Sequence, residues 1–349
     1  MKKLKLSSIN FFNLFSIGAL MRKLFFFVLI SCTFMLAQNP NLGSSGANFL
    51  QIPVGAKPAG MAGAVVGNTQ DASSVFWNPA GLVKINSVQA HFSYMKWFDL
   101  FDFNAASLAY NAEGYGVFAL SMIVFSTDGI EITTEESPNG TGRFYDAQDL
   151  ALGLSFARYL TDRFSFGITV KYVSQKIWNE AANGFAFDIG TQYQLDFQNL
   201  TIAMSMSNFG SDLRFDGPDL NVIHLRNENY PISRLTPARL QTSDYPLPLN
   251  FQVGIGFDIY ETDFIKVRGG ADAVHPNDNS ERLHFGTEIS FFDRFYLRGG
   301  YKYNYSDEDF TFGAGASVPF SSRLVRFDYA YSIFDILPSV HRISLDISF

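Results

Sequence analysis

The chain has 349 residues, of which 16 % are aromatic and only 17 % charged, where an ordinary soluble domain carries about a quarter charged residues. Its net charge of −7 supplies none of the basic stripe that a nucleic-acid partner requires. The single cysteine, Cys32, lies in the N-terminal leader, so the rest of the chain has no disulfide, thiol nucleophile or thiolate metal site.

The leader reads as a secretory signal over residues 1–37. Of two in-frame starts, Met21 gives the more compact one: Arg22 and Lys23, an apolar core from Leu24 to Leu36, and a small residue, Ala37, before the expected cut at Gln38. Leu29-Ile30-Ser31-Cys32 also resembles a lipobox, which would make Cys32 a lipidated N-terminus. Beyond the leader no stretch holds the roughly 20 apolar residues that a spanning helix needs. Residues 38–87 do not alternate. They include the small-residue run Gly55 to Ala64, then Asp71-Ala72-Ser73-Ser74 and Trp77-Asn78-Pro79-Ala80-Gly81-Leu82. Asp71 suits an N-cap for a short turn over Ala72–Trp77, and Asn78-Pro79 is expected to end it.

From Val88 a two-residue period takes over, putting apolar and polar side chains on opposite faces of strands. It predicts about fourteen strands: 88–97, 103–111, 115–126, 145–159, 163–178, 183–196, 199–208, 249–260, 264–274, 281–292, 295–305, 309–318, 323–334 and 340–349. In the last, Ile343, Leu345, Ile347 and Phe349 alternate with Arg342, Ser344, Asp346 and Ser348; this ending is expected to be the C-terminal assembly signal. Every second connection is tiny, as at Glu113-Gly114, Thr161-Asp162 and Asp293-Arg294, whereas two of the others, near 127–144 and 209–248, are long. Short periplasmic turns and longer outer loops are the asymmetry of outer-membrane barrels. A soluble aromatic sandwich, the alternative, has no reason to sort its loops by parity. The fold expected is therefore all-β: a transmembrane antiparallel β-barrel of about fourteen strands over 88–349, closed because a free sheet edge in lipid is too costly. Its polar face carries Lys171, Asp188, Glu288, Arg298, Lys302, Arg326, Asp328, Arg342 and Asp346, read as lumen salt bridges. A barrel of this size leaves a lumen to be filled, and residues 38–87 are the expected N-terminal plug.

The N-terminal runs quoted above, together with the ending His341 to Phe349, resemble the PorV/PorQ family, and Asn78-Pro79-Ala80 also occurs in the broader FadL group of fatty-acid channels. The resemblance implies a fourteen-stranded outer-membrane barrel with an N-terminal plug, its motif at Asn78, Pro79, Ala80 and Gly81. It further implies a role in type IX secretion, binding or shuttling exported cargo at the cell surface.

No Gly-x-Ser-x-Gly elbow, His-Glu-x-x-His or phosphate loop is present, and no enzymatic activity, cofactor or metal is expected. His284 and His341 lie on strands read as facing polar space. Asp307-Glu308-Asp309 reads as a solvated loop, with weak binding of a divalent cation as the alternative. The stretch 209–248 shows no strand pattern. It holds Arg214, Arg226, Tyr230, Arg234, Arg239 and Tyr245, and Arg and Tyr are favoured at recognition hot spots; the loop is expected to contact a protein partner through these residues or to cover the outer mouth, with a passive loop against lipopolysaccharide as the alternative. The expected partners are outer-membrane lipid and lipopolysaccharide, secreted cargo and other secretion components. The leading function is a secretion component; the other is a FadL-like transporter of hydrophobic small molecules through the lumen.

Overall fold

In the computed structural model, residues 41–225, 235–320 and 323–349 are described; the leader, its cut site, Arg226, Tyr230 and Arg234 lie outside them. Fourteen antiparallel strands close into a barrel. They are β1 Val88–Trp97, β2 Phe101–Ala112, β3 Gly116–Thr127, β4 Ala147–Thr161, β5 Phe164–Ile177, β6 Glu180–Gln194 and β7 Thr201–Gly210. The second half comprises β8 Asn250–Glu261, β9 Ile265–Pro276, β10 Arg282–Phe291, β11 Phe295–Tyr303, β12 Glu308–Phe320, β13 Arg323–Phe334 and β14 Val340–Ser348. Each strand pairs with its neighbours in sequence, and β14 closes on β1 with Tyr94 opposite Ile343, Phe92 opposite Leu345 and Ala90 opposite Ile347. The Phe349 amide donates to the Val88 carbonyl at 3.0 Å, so the last residue completes the closing seam.

Every predicted strand is present. Burial alternates as the sequence pattern requires: on β6, Ala182, Gly184, Ala186, Asp188, Gly190 and Gln192 are buried, while Phe185, Phe187 and Tyr193 on the other face are exposed. The exposed row is apolar on strand after strand, including Leu120, Leu154, Val170, Phe285, Phe312 and Ile343. Aromatic residues crowd the short-turn end, with Tyr115, Phe197, Phe264, Phe292 and Phe320 all exposed, the placement of a membrane-interface girdle.

The core lies inside the barrel, where residues 41–87 pack against the inner wall. Besides a 3-10 turn at Asn48–Gln51, a five-residue helix, Ala56–Gly60, and 3-10 helices at Ala72–Phe76 and Pro79–Lys84 provide its regular structure. As expected, Asp71 caps the first of these 3-10 helices, accepting from the Ser73 amide, and Ser74 completes a capping box. Pro79 does more than end it: it opens the second, with Asn78 as N-cap. Buried clusters join this segment to the wall through Phe49 and Val54 against Met95, Phe103 and Val173, and through Leu82 and Ile85 against Ala109, Val117 and Ala157.

The described parts of the long connections are folded. Ile130–Glu131 pairs with Phe144–Tyr145. Asn221–Leu225 pairs with Leu235–Arg239 after a 3-10 turn at Pro218–Leu220. Short two-stranded hairpins among prolines and charged residues carry too little apolar alternation to be read from sequence. Two polar assignments also change. His341 sits on the outward face of β14, with Nδ1 2.7 Å from the Tyr329 hydroxyl, because β14 alternates and buried Arg342 takes the inward position. Glu308 is buried at the start of β12, where Lys302 donates to it at 2.5 Å, rather than lying in a solvated loop.

Candidate functional site

Three features carry function: the inner segment, the space above it, and the outer loops. The Asn78-Pro79-Ala80-Gly81 motif pins the segment to the wall. Asn78 is wholly buried. Its Nδ2 donates to the carbonyls of Val66 at 3.1 Å and of Thr191, on β6, at 3.2 Å, while its Oδ1 accepts from the Ala80 amide at 3.1 Å. The wall opposite has no side chains: a Cβ at Gly190 would overlap the Asn78 amide, and one at Gly167 would overlap the Pro79 and Ala80 backbone. A second such pair, Gly286 and Gly300, lets the Met61 and Ala62 backbone approach β10 and β11. Small residues on both surfaces therefore let backbone meet backbone.

Charges complete the attachment. Lys57 and Asp71 of the segment pair at 2.9 Å. Arg326 on β13 reaches Asp71 at 3.0 Å, Asp346 at 3.0 Å and Asp328 at 2.9 Å. Arg298 on β11 extends the chain from Asp328, at 2.6 Å, to Glu288, at 2.7 Å, and the Nδ1 of His91 on β1 lies 2.8 Å from Asp346. Burial pushes the Asp71 carboxyl up, but Lys57 and Arg326 outweigh it and hold the group well below the usual carboxylate range. The sequence gives the faces of Arg298, Arg326, Asp328 and Asp346 correctly. The attachment through Lys57 and Asp71 goes unread there, because a period assigns a side chain to a face without naming its partner. The one signal is Lys57 itself, a lone charge in the small-residue run Gly55 to Ala64.

Above the segment, toward the long loops, is a cavity of about 580 Å³. Phe49, Ile52, Trp97, Phe125 and Phe334 give it an apolar side, and Lys171, Asp188, His284 and Lys302 a polar one. The wall kinks beside it. Asn208 on β7 has φ 63°, the β6–β7 register shifts between Phe187 and Ile189, and β8 pairs with β7 only as far as Asn250 opposite Ser207. Side chains close the gap: Asp188 accepts from the Asn208 amide at 2.8 Å and pairs with Lys171 at 2.8 Å, and Asn208 Nδ2 donates to the Pro248 carbonyl at 3.1 Å.

Of the expected partner contacts in the described part of the long loop, Arg214 and Arg239 are exposed, the latter paired with Asp216. Tyr245 instead holds the loop down. Its backbone bridges to buried Leu213, its hydroxyl donates to Gln175 at 3.1 Å, and burial, then the Asp149 carboxylate, pushes that hydroxyl up to about 12. Among the described residues no group of His, Cys, Asp and Glu is placed to hold a metal ion.

The sequence model of the family described as "Type IX secretion system protein PorV" matches residues 36–219. No curated protein sequence matches the chain. Among solved structures, the CymD monoaromatic hydrocarbon channel is similar at 14 % identity and a TM-score of 0.53, covering 85 % of this chain and 98 % of its own. The Ralstonia pickettii toluene transporter TbuX matches at 12 % and 0.53, covering 84 % and 96 %. A Pseudomonas aeruginosa FadL homologue matches at 12 % and 0.52, covering 85 % and 98 %. At these identities the likeness shows a shared fold.

Proposed function

The chain belongs to the PorV family of type IX secretion proteins, an outer-membrane barrel, and from that premise we propose that it is a non-enzymatic secretion component that binds exported proteins at its outer end. The leader directs export, residues 41–87 act as a plug, and the ending Ile343, Leu345, Ile347 and Phe349 serves as the assembly signal. The observation that carries this reading is the division of labour along the barrel axis. The lumen is occupied by a segment bonded to strands on several sides, through Thr191, Asp272, Thr311 and Ser344, while the described parts of the outer loops are paired and anchored. A sealed barrel acts through its surface.

Cargo capture tests this. Leu213 and Tyr245 pin the long loop and must stay, so the change is confined to residues 218–240, replaced by a short Gly/Ser linker in the mature protein. The expected result is a barrel that still shows a heat-modifiable band on a detergent gel but no longer co-purifies with secreted proteins carrying a type IX sorting domain. Undiminished capture contradicts a role for the loop.

The transporter reading is favoured by the cavity and by the wall kink at Asn208 beside it. Uptake of a long-chain fatty acid into liposomes holding the barrel would support it.

A further inference from the structure

Trp178 stands at the tip of the β5–β6 hairpin with φ 51°, a left-handed conformation that bulky residues rarely adopt. It is 38 % exposed and stacks on Tyr145, ring centroids 5.5 Å apart. It forms part of a groove of about 630 Å³ between the 128–146 connection and the long loop, whose apolar lining includes Ile130, Ile177 and Phe215. Every charged residue of the lining is acidic: Glu131, Glu180 and Asp219. The 128–146 connection that forms one bank has five acidic residues and one basic one.

Lipid does not fill this groove. The outward row of β5 runs Phe164, Phe166, Ile168, Val170, Tyr172 and then turns polar at Ser174 and Lys176. On β6 Asn183 lies opposite Ser174, and on β4 the outward row turns polar one step later, from Leu150 opposite Ser174 to Gln148 opposite Lys176. The hydrocarbon layer therefore ends near Tyr172, and the groove stands above it in water. The acidic lining also repels the phosphates of lipopolysaccharide. An aromatic floor with an acidic rim, exposed to water beyond the bilayer, fits a polypeptide that offers apolar side chains and a positive charge together.

We propose that this groove binds an extended polypeptide segment in which a lysine or arginine is flanked by apolar side chains. The apolar groups pack on Trp178 and Phe215, and the cation faces Glu131, Glu180 and Asp219. The proposal rests on the reading of the barrel as a binder of exported proteins and gives that reading a place and a chemistry.

The test titrates the mature barrel in detergent micelles with two probes, acetyl-Lys-Phe-Lys-Phe-Lys-amide and its counterpart with glutamate in place of each lysine, followed by calorimetry. The basic peptide is expected to bind, more weakly as salt is raised, and the acidic one not to bind. W178G relieves the left-handed backbone while removing the ring, so it keeps the heat-modifiable band and weakens binding about tenfold. E180Q combined with E131Q weakens it and removes most of the salt dependence. Equal binding of both peptides, no binding of either, or full affinity in W178G overturns the proposal. Co-purification of sorting-domain cargo is read separately. Wild-type capture by W178G sinks the groove and spares the cargo reading; peptide binding by a barrel that captures no cargo sinks the cargo reading and spares the groove.

Discussion

Replacing Arg326 with alanine is expected to cost the barrel about 3–5 kcal/mol and to lower the temperature at which its compact gel band converts to the unfolded one. Arg326 contacts three carboxylates, Asp71, Asp328 and Asp346. Removing it leaves Asp71 with Lys57, Asp328 with Arg298 and Asp346 with His91, each short of a positive neighbour in a space largely closed to water. An unpaired buried charge costs more than the pair contributes. Lysine at 326 restores the charge but not the planar fork, so Arg326→Lys should fall between the two. Because one link runs to the inner segment, Asp71→Asn and Arg326→Ala should act sub-additively in a double-mutant cycle. Strict additivity would mean that the segment is not held through this ion pair.

Deleting Val340–Phe349 is expected to abolish the barrel altogether. The deletion strips partners from β1 along Gln89 to Met95 and from β13 along Leu324 to Ser332. Two free edges then face lipid, and each unpaired backbone group there costs several kcal/mol, far beyond the stability of any domain. No heat-modifiable species should appear in outer-membrane fractions. Phe349→Ala alone leaves the ladder intact and should lower yield without eliminating the folded band. A compact band from the truncated chain would show that closure by β14 is dispensable.

Much of this architecture is legible in the sequence because period two is a strong signal where one face meets lipid. Strand ends go astray where that demand stops. β6 is expected from residue 183 yet begins at Glu180, since above the hydrocarbon its outward positions need not be apolar and the alternation fades. Residues 41–87 stand apart in the sequence for a different reason: small residues and Asn78-Pro79 resist regular strand yet are too apolar for solvent. Partners are not legible. Tyr245 has the residue type of a recognition contact, and only its hydrogen bond to Gln175 and the Leu213 bridge reveal an anchor. Trp178 draws no notice in the sequence, where it looks like the end of a strand; the positive φ that presents its ring to the groove belongs to a turn, not to a pattern of residues. The kink at Asn208 leaves only a change of phase, the apolar row Ile202, Met204 and Met206 giving way to Asn208 and then Phe209, and such a change reads equally well as the end of a strand.

In the function proposed, the inner segment seals the lumen and the protein works at its outer surface. Electrical conductance of the intact mature barrel in a planar bilayer tests this most directly. The intact protein is expected to pass no steady ion current, and deletion of residues 41–84 to give open-channel current. A stable, wide-open conductance from the intact protein would contradict it.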